Sequence, residues 1–155
     1  MINIRVAKPD DIPKLVELLT ALFTLETDFV VDTDKQASGL SQLLNNDHAC
    51  VLVAYVEPQN SMSFPQQVVG MCSIQTLIST AEGGRVGLLE DLIVAAEFRQ
   101  QGIATKLLAQ ASDWAERGGL KRLQLLADKT NLPALGFYAR QGWQTTQMIC
   151  LRKFL

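Results

Sequence analysis

The chain has 155 residues, 48% of them apolar, with a net charge of −2 and a pI near 5.4. That length and composition support one domain, spanning 1–155, with a sizeable core and no room for a second. A mildly acidic balance speaks against nucleic acid, which needs a basic face, and no apolar run approaches the roughly 18 residues of a membrane span.

Met1 to Val6 alternates like a strand, with no charged segment leading into an apolar one, so no signal peptide is expected and a cytoplasmic location follows. Asp10 or Asp11 is placed to cap a helix whose apolar stripe runs Ile12, Leu15, Val16, Leu19, Leu22 and Phe23, with Pro13 tolerated in its first turn. An acidic, broken connection carrying Glu26, Asp28, Asp32 and Asp34 precedes a second short helix at about 34–45.

Two strands follow, at 49–57 and 67–77, joined by a loop over Pro58 to Gln66 rich in Pro, Asn and Ser. Glu82-Gly83-Gly84-Arg85 makes the next tight connection, and Leu88 to Ala95 reads as an interior strand. Cys50, Cys72 and Cys150 are odd in number, far apart and set in apolar surroundings, so free buried thiols are expected. One His and no paired Cys motif leave no expected metal site, and His48 beside Asp47 reads as a surface or capping residue.

The most informative stretch comes next. The strand runs into Arg99-Gln100-Gln101-Gly102-Ile103-Ala104, and from Ile103 the apolar positions recur at Leu107, Ala111, Trp114 and Ala115 with helical spacing. A helix N-terminus leaves about four backbone N–H groups without intrahelical partners and carries the positive end of the dipole, which suits an anion. Small residues at Gly102 and Ala104 keep side chains away from the donors of Gln101, Gly102, Ile103, Ala104 and Thr105, as a pyrophosphate cradle requires. Gly102 could also simply start a helix tightly. Dinucleotide and P-loop readings lack their glycines, since neither Gly-x-Gly-x-x-Gly nor Gly-x-x-x-x-Gly-Lys-Ser/Thr occurs.

A further strand at 123–127 leads to Asn131-Leu132-Pro133-Ala134-Leu135-Gly136-Phe137-Tyr138, closing on Gly142-Trp143. The Val94 to Ala104 segment resembles the acyl-CoA motif of the GNAT superfamily of N-acetyltransferases, and 131–143 resembles its closing Asn-x-x-Ala-x-x-Phe-Tyr-x-x-x-Gly-Phe block, with Trp143 for the final Phe. Specific motifs cover 88–143; the resemblance in element order covers essentially the whole chain.

The resemblance implies an α+β GNAT fold of order β-α-α-β-β-β-α-β-α-β, ending in a strand near Met148 to Lys153. It also implies a mixed sheet splayed at the acyl-CoA site. Pantetheine would pair with the main chain of Leu92, Ile93 and Val94. The pyrophosphate would meet Arg99, Gln100, Gln101, Gly102, Ile103, Ala104 and Thr105, and Asn131, Ala134 and Tyr138 would complete the acetyl-CoA site.

Acetyl transfer to an amine needs an uncharged nitrogen, although alkyl amines have pKa values near 10. Glu90 interrupts an apolar strand. By period-two alternation it shares a face with Leu92 and Val94, and partial burial would raise its pKa toward a useful range, so it is the candidate base, directly or through water. Asp91 then points to the opposite face in a structural role, although a solvent-facing Glu-Asp pair fits the same letters.

Tyr138 is the candidate acid for the departing thiolate; a core aromatic fits there too. Asn131 would cap the last helix, and Gly136 inside it suggests close packing or ligand approach. Trp114 and Trp143 read as core or helix-packing residues. Glu26 and Asp28 are placed to attract a cationic acceptor, unless that segment is merely a solvated connection.

The expected reaction is acetylation of a small primary amine, such as a polyamine, an aminoglycoside or an amino acid, by direct attack in a ternary complex. A protein amino group as acceptor, or a non-catalytic acyl-CoA-binding regulatory module, stays open. Relatives commonly form homodimers.

Overall fold

A computed structural model describes residues 1–57 and 66–155. Most of the loop expected between the second and third strands therefore lies outside the described residues. The chain forms two compact units, Met1–Gln124 and Leu125–Leu155.

In the first unit β1 (Ile2–Val6) leads through a short 3₁₀ turn into α1 (Ile12–Leu25) and α2 (Thr33–Leu44). Then come β2 (Ala49–Val56), β3 (Gln67–Ser79), β4 (Gly84–Val94) and, after a second 3₁₀ turn, α3 (Ile103–Arg117). The sheet order is β1-β2-β3-β4-β5, with β5 at Leu123–Leu125 on the boundary of the units. The first four strands pair antiparallel. Beyond α3, Lys121 N–H donates to Arg85 O and Gly87 N–H to Arg122 O, ascending together in the parallel sense, so the sheet is mixed.

The expected stripe of α1 is real, with Leu15, Leu18 and Leu19 buried against Leu40 of α2 and Val51, Val53, Met71 and Ile93 of the sheet. Gln36 ties the two helices together: its amide nitrogen donates to Val16 O and Thr20 Oγ1, both at 3.1 Å, while its oxygen accepts from Asp32 N–H. Asp32 caps α2 by accepting from Lys35 N–H. On the other face α3 buries Ile103, Leu107, Leu108, Ala111 and Ala115, the spacing anticipated, with Trp114 half-buried.

Neither Asp10 nor Asp11 caps α1 through its side chain, contrary to expectation. Asp11 is taken by stronger partners: both oxygens accept from Arg5, at 2.7 and 2.9 Å, and Oδ2 also accepts from Lys8 N–H. Burial works to raise its pKa, but these bonds outweigh burial and hold the carboxyl below its ordinary value. A depressed carboxylate contributes stability above its unfolded pKa, near ~3.9, and loses it as pH falls through the folded value. The melting temperature is therefore expected to drop below about pH 4 with a component that Asp11→Asn removes; identical acid profiles would exclude the pair as its source.

One irregularity of β4 matters for function. Ser73 stands across from Glu90 and Met71 across from Ile93, so two residues, Asp91 and Leu92, oppose Cys72 alone. This is a β-bulge, and Asp91 has φ 56°, a left-handed conformation costing an L-residue about 1–2 kcal/mol and tolerated best, after Gly, by Asn and Asp. Where the ladder resumes, Gly70 lies opposite Val94, and a Cβ there would stand 3.0 Å from Ile93 O and 3.5 Å from Leu107 Cδ1.

The second unit contains α4 (Leu132–Arg140), and Asn131 Oδ1 accepts from Ala134 N–H as the expected cap. Gly136 is not explained by close packing, since an added Cβ would meet only Arg140 Nη1, at 3.4 Å. The strand expected near Met148 to Lys153 is not formed: no regular structure follows α4, and Met148, Ile149 and Leu151 are each more than 80% exposed. Alternating apolar residues supply β-propensity, but a strand exists only where a neighbour's ladder satisfies its backbone.

Cys50 and Cys72 are buried free thiols as expected, but Cys150 is exposed on that irregular tail. Burial pushes the Cys50 thiol up to about 11 and that of Cys72 to about 12, and thiols held protonated react slowly. A thiol reagent is expected to titrate one fast cysteine in the native protein, abolished by Cys150→Ser. Two or more fast thiols would contradict the burial.

Candidate acyl-CoA site

The end of β4 is fixed on both sides: Ala95 N–H donates to Val69 O, and the Arg99 side chain turns back so that Nε donates to Val94 O at 3.0 Å. Arg99, expected to meet the pyrophosphate, thus also braces the strand feeding the loop. Gln100 and Gly102 both have positive φ, 60° and 75°. Left-handed residues in such a turn aim successive N–H groups into one concavity.

Lys106 N–H donates to Gly102 O, the first bond of α3, so by helix geometry the N–H groups of Ile103, Ala104 and Thr105 lie ahead of it. Gly102 is exposed, and nothing lies within 4 Å of a Cβ built upon it. The loop therefore has what a pyrophosphate needs: donors, the positive end of a dipole, and open space where a larger residue would intrude. Two shallow hollows of about 320 and 330 Å³ lie at the other ends of β4 and α3, around Arg122 and Trp114, and none of residues 90–105 lines them.

The bulge corrects the expected facing of Glu90. Pairing partners share a face, so Glu90 stands with Ser73, Met71 and Ile93 on the side of α1 and α2, while Val94, opposite Gly70, belongs to the α3 side. Strict alternation fails because the bulge inserts one residue between them. Glu90 is exposed and not partly buried; the burial expected there falls on Asp91, whose pKa burial raises and a hydrogen bond from Ser73 Oγ, 2.9 Å, partly restrains. The sequence does carry one sign of this: two adjacent polar residues in an apolar strand cannot both face outward under a strict period of two.

Glu26, half-buried, and Asp28, exposed, lie between α1 and α2. Tyr138 is half-buried in α4, its ring 5.4 Å from Phe137 and 6.1 Å, edge-on, from Trp143. Glu90 and the loop belong to the first unit; Asn131, Ala134 and Tyr138 belong to the second. Among the described residues no group of three or more His, Cys, Asp or Glu is placed to hold a metal, and no helix is long and apolar enough to cross a membrane.

A mixed sheet with helices on both faces, a bulged fourth strand and a left-handed turn opening onto a helix N-terminus are the features on which an acyl-CoA reading rests. The family model of the acetyltransferase (GNAT) family matches residues 13–143, and the chain belongs to that family, whose acyl donor is acetyl-CoA. Streptothricin acetyltransferase A of Bacillus subtilis is 32% identical over 88 residues, covering 57% of this chain and half of that protein. An uncharacterised N-acetyltransferase of Archaeoglobus fulgidus is 28% identical over 141 residues, 90% of each chain. The crystal structure of a transcriptional regulator from Bacillus halodurans matches 99% of this chain and all of its own with a TM-score of 0.83 at 20% identity, which shows the shared fold.

Proposed function

We propose that the chain transfers the acetyl group of acetyl-CoA to a primary amine of a small molecule, by direct attack in a ternary complex. The observation that carries this is the loop at 99–105, open above a left-handed Gly102 at the start of α3. The family match spans both compact units, which supports their working as a single domain.

The loop holds the pyrophosphate, and the main chain of Leu92, Ile93 and Val94 takes the pantetheine. The same family resemblance assigns Asn131, Ala134 and Tyr138 to acetyl-CoA. Glu90, exposed on the α1/α2 face, accepts the proton that the amine must lose, directly or through water. The nitrogen forms its bond to the thioester carbon, the C–S bond breaks, and the Tyr138 hydroxyl gives its proton to the departing thiolate, whose conjugate acid has a pKa near ~8.5.

Glu26 and Asp28 supply negative charge for a cationic acceptor. Polyamines, aminoglycosides and amino acids share that chemistry, and the relative named for streptothricin acetylation supports a small-molecule acceptor. A cytoplasmic setting, where thiols stay reduced, accords with three free cysteines.

The test is release of CoA thiol from acetyl-CoA against a panel of polyamines, aminoglycosides, amino acids and amino-terminal peptides, run in Cys150→Ser to silence the exposed thiol. Acceptor-dependent release is expected with a small amine. Stimulation by peptides alone would move the acceptor to protein, and tight CoA binding without release for any acceptor would favour a regulatory module.

A further inference from the structure

We propose that Ser73 and Asp91 form a clasp that sets the bulge of β4, making Asp91 a positioning residue for the pantetheine arm of acyl-CoA; this rests on the acyl-CoA reading above. Ser73, 1% exposed, lies directly across the ladder from Glu90 and reaches diagonally to the next residue, its Oγ donating to Asp91 Oδ2 at 2.9 Å. Asp91 is the residue with positive φ at the bulge, so the clasp grips the one backbone unit that departs from the strand.

Geometry ties this to the site. Glu90 and Ile93 are three apart yet share a face, which an unbroken strand forbids, and Leu92 sits in the bulge itself. The main chain offered to pantetheine begins at Leu92, so its direction depends on the conformation at Asp91. A left-handed residue alone would be served more simply by Gly or Asn. A carboxylate kept out of water here disfavours its own ionisation, and the bond from Ser73 is what offsets that within the described residues.

The experiment compares two ligands: CoA, and adenosine 3′-phosphate 5′-diphosphate, which carries the pyrophosphate but no pantetheine. Ser73→Ala and Asp91→Ala are expected to weaken CoA by about tenfold, the loss typical of an interaction with a buried carboxylate, and to leave the nucleotide unchanged. Asp91→Gly, which relieves the backbone and loses the clasp, should show the same selective loss, and it carries the test if Asp91→Ala does not fold. Asp91→Asn keeps an acceptor for Ser73 and tolerates positive φ, so its CoA affinity should stay within about threefold of the parent.

Equal loss of both ligands, or unchanged CoA affinity in Ser73→Ala and Asp91→Gly, would overturn the clasp. Loss of turnover in Asp91→Asn with CoA affinity intact would overturn positioning in favour of proton transfer by Asp91. A parent protein that binds neither ligand would instead defeat the acyl-CoA reading itself.

Discussion

Glu90→Gln is expected to bind CoA as the parent does and to turn over about a hundredfold more slowly or worse, the usual scale for removing a general base. Gln is isosteric and suits the same exposed position of β4, so stability should hardly change. The loss should fall on kcat and kcat/KM alike, because the group acts on the amine proton during transfer and not on donor binding. Tyr138→Phe is the companion measurement: CoA affinity should survive and turnover fall. Equal turnover in that variant would remove Tyr138 from the mechanism, and equal turnover in Glu90→Gln would remove the carboxylate.

Gly102→Val should abolish CoA binding, with a loss of about a hundredfold or more, because a β-branched side chain both resists positive φ and fills the space above the loop. Strain and ligand exclusion are separable here by a matched control. Gly83, in the β3–β4 turn, has φ 65° against 75° for Gly102, and an added Cβ at either meets nothing within 4 Å. Both Val variants should therefore lose similar stability, about 1–2 kcal/mol, by chemical denaturation, while only the Gly102 variant loses CoA. Equal affinity in the two would mean that the loop does not hold the pyrophosphate.

Elements whose letters report on their own geometry were legible in the sequence. The stripe from Ile12 to Phe23 and the recurrence from Ile103 to Ala115 are periodicities of the helix itself, and the small residue at Gly102 marks the turn before α3, although its left-handed backbone emerged only in the structure. The start of β4 was less legible: it begins at Gly84, four residues before its apolar run, because hairpin pairing with Ser79 extends the strand through residues of weak propensity.

What was not legible depended on distant partners. Asp11 looked like a cap until Arg5 from β1 claimed it. Met148 to Lys153 has the alternation of a strand, yet no ladder meets it. Glu90 was chosen for its chemistry, and its facing was misjudged because one inserted residue in β4 reverses every parity argument beyond it.

That reversal has a bearing on how the segment tolerates change in length. With its left-handed residue excised, β4 would become a flat ribbon of a single phase. Ile93, then two residues beyond Glu90, would stay on the α1/α2 face opposite Met71, and Val94 would stay on the α3 side opposite Gly70. A one-residue deletion at 91 should thus straighten the strand and keep every pairing beyond it, a change in length that an unbulged strand could not absorb, and a profile that scores strands by strict alternation will rate this one, among the best paired in the molecule, as a poor strand.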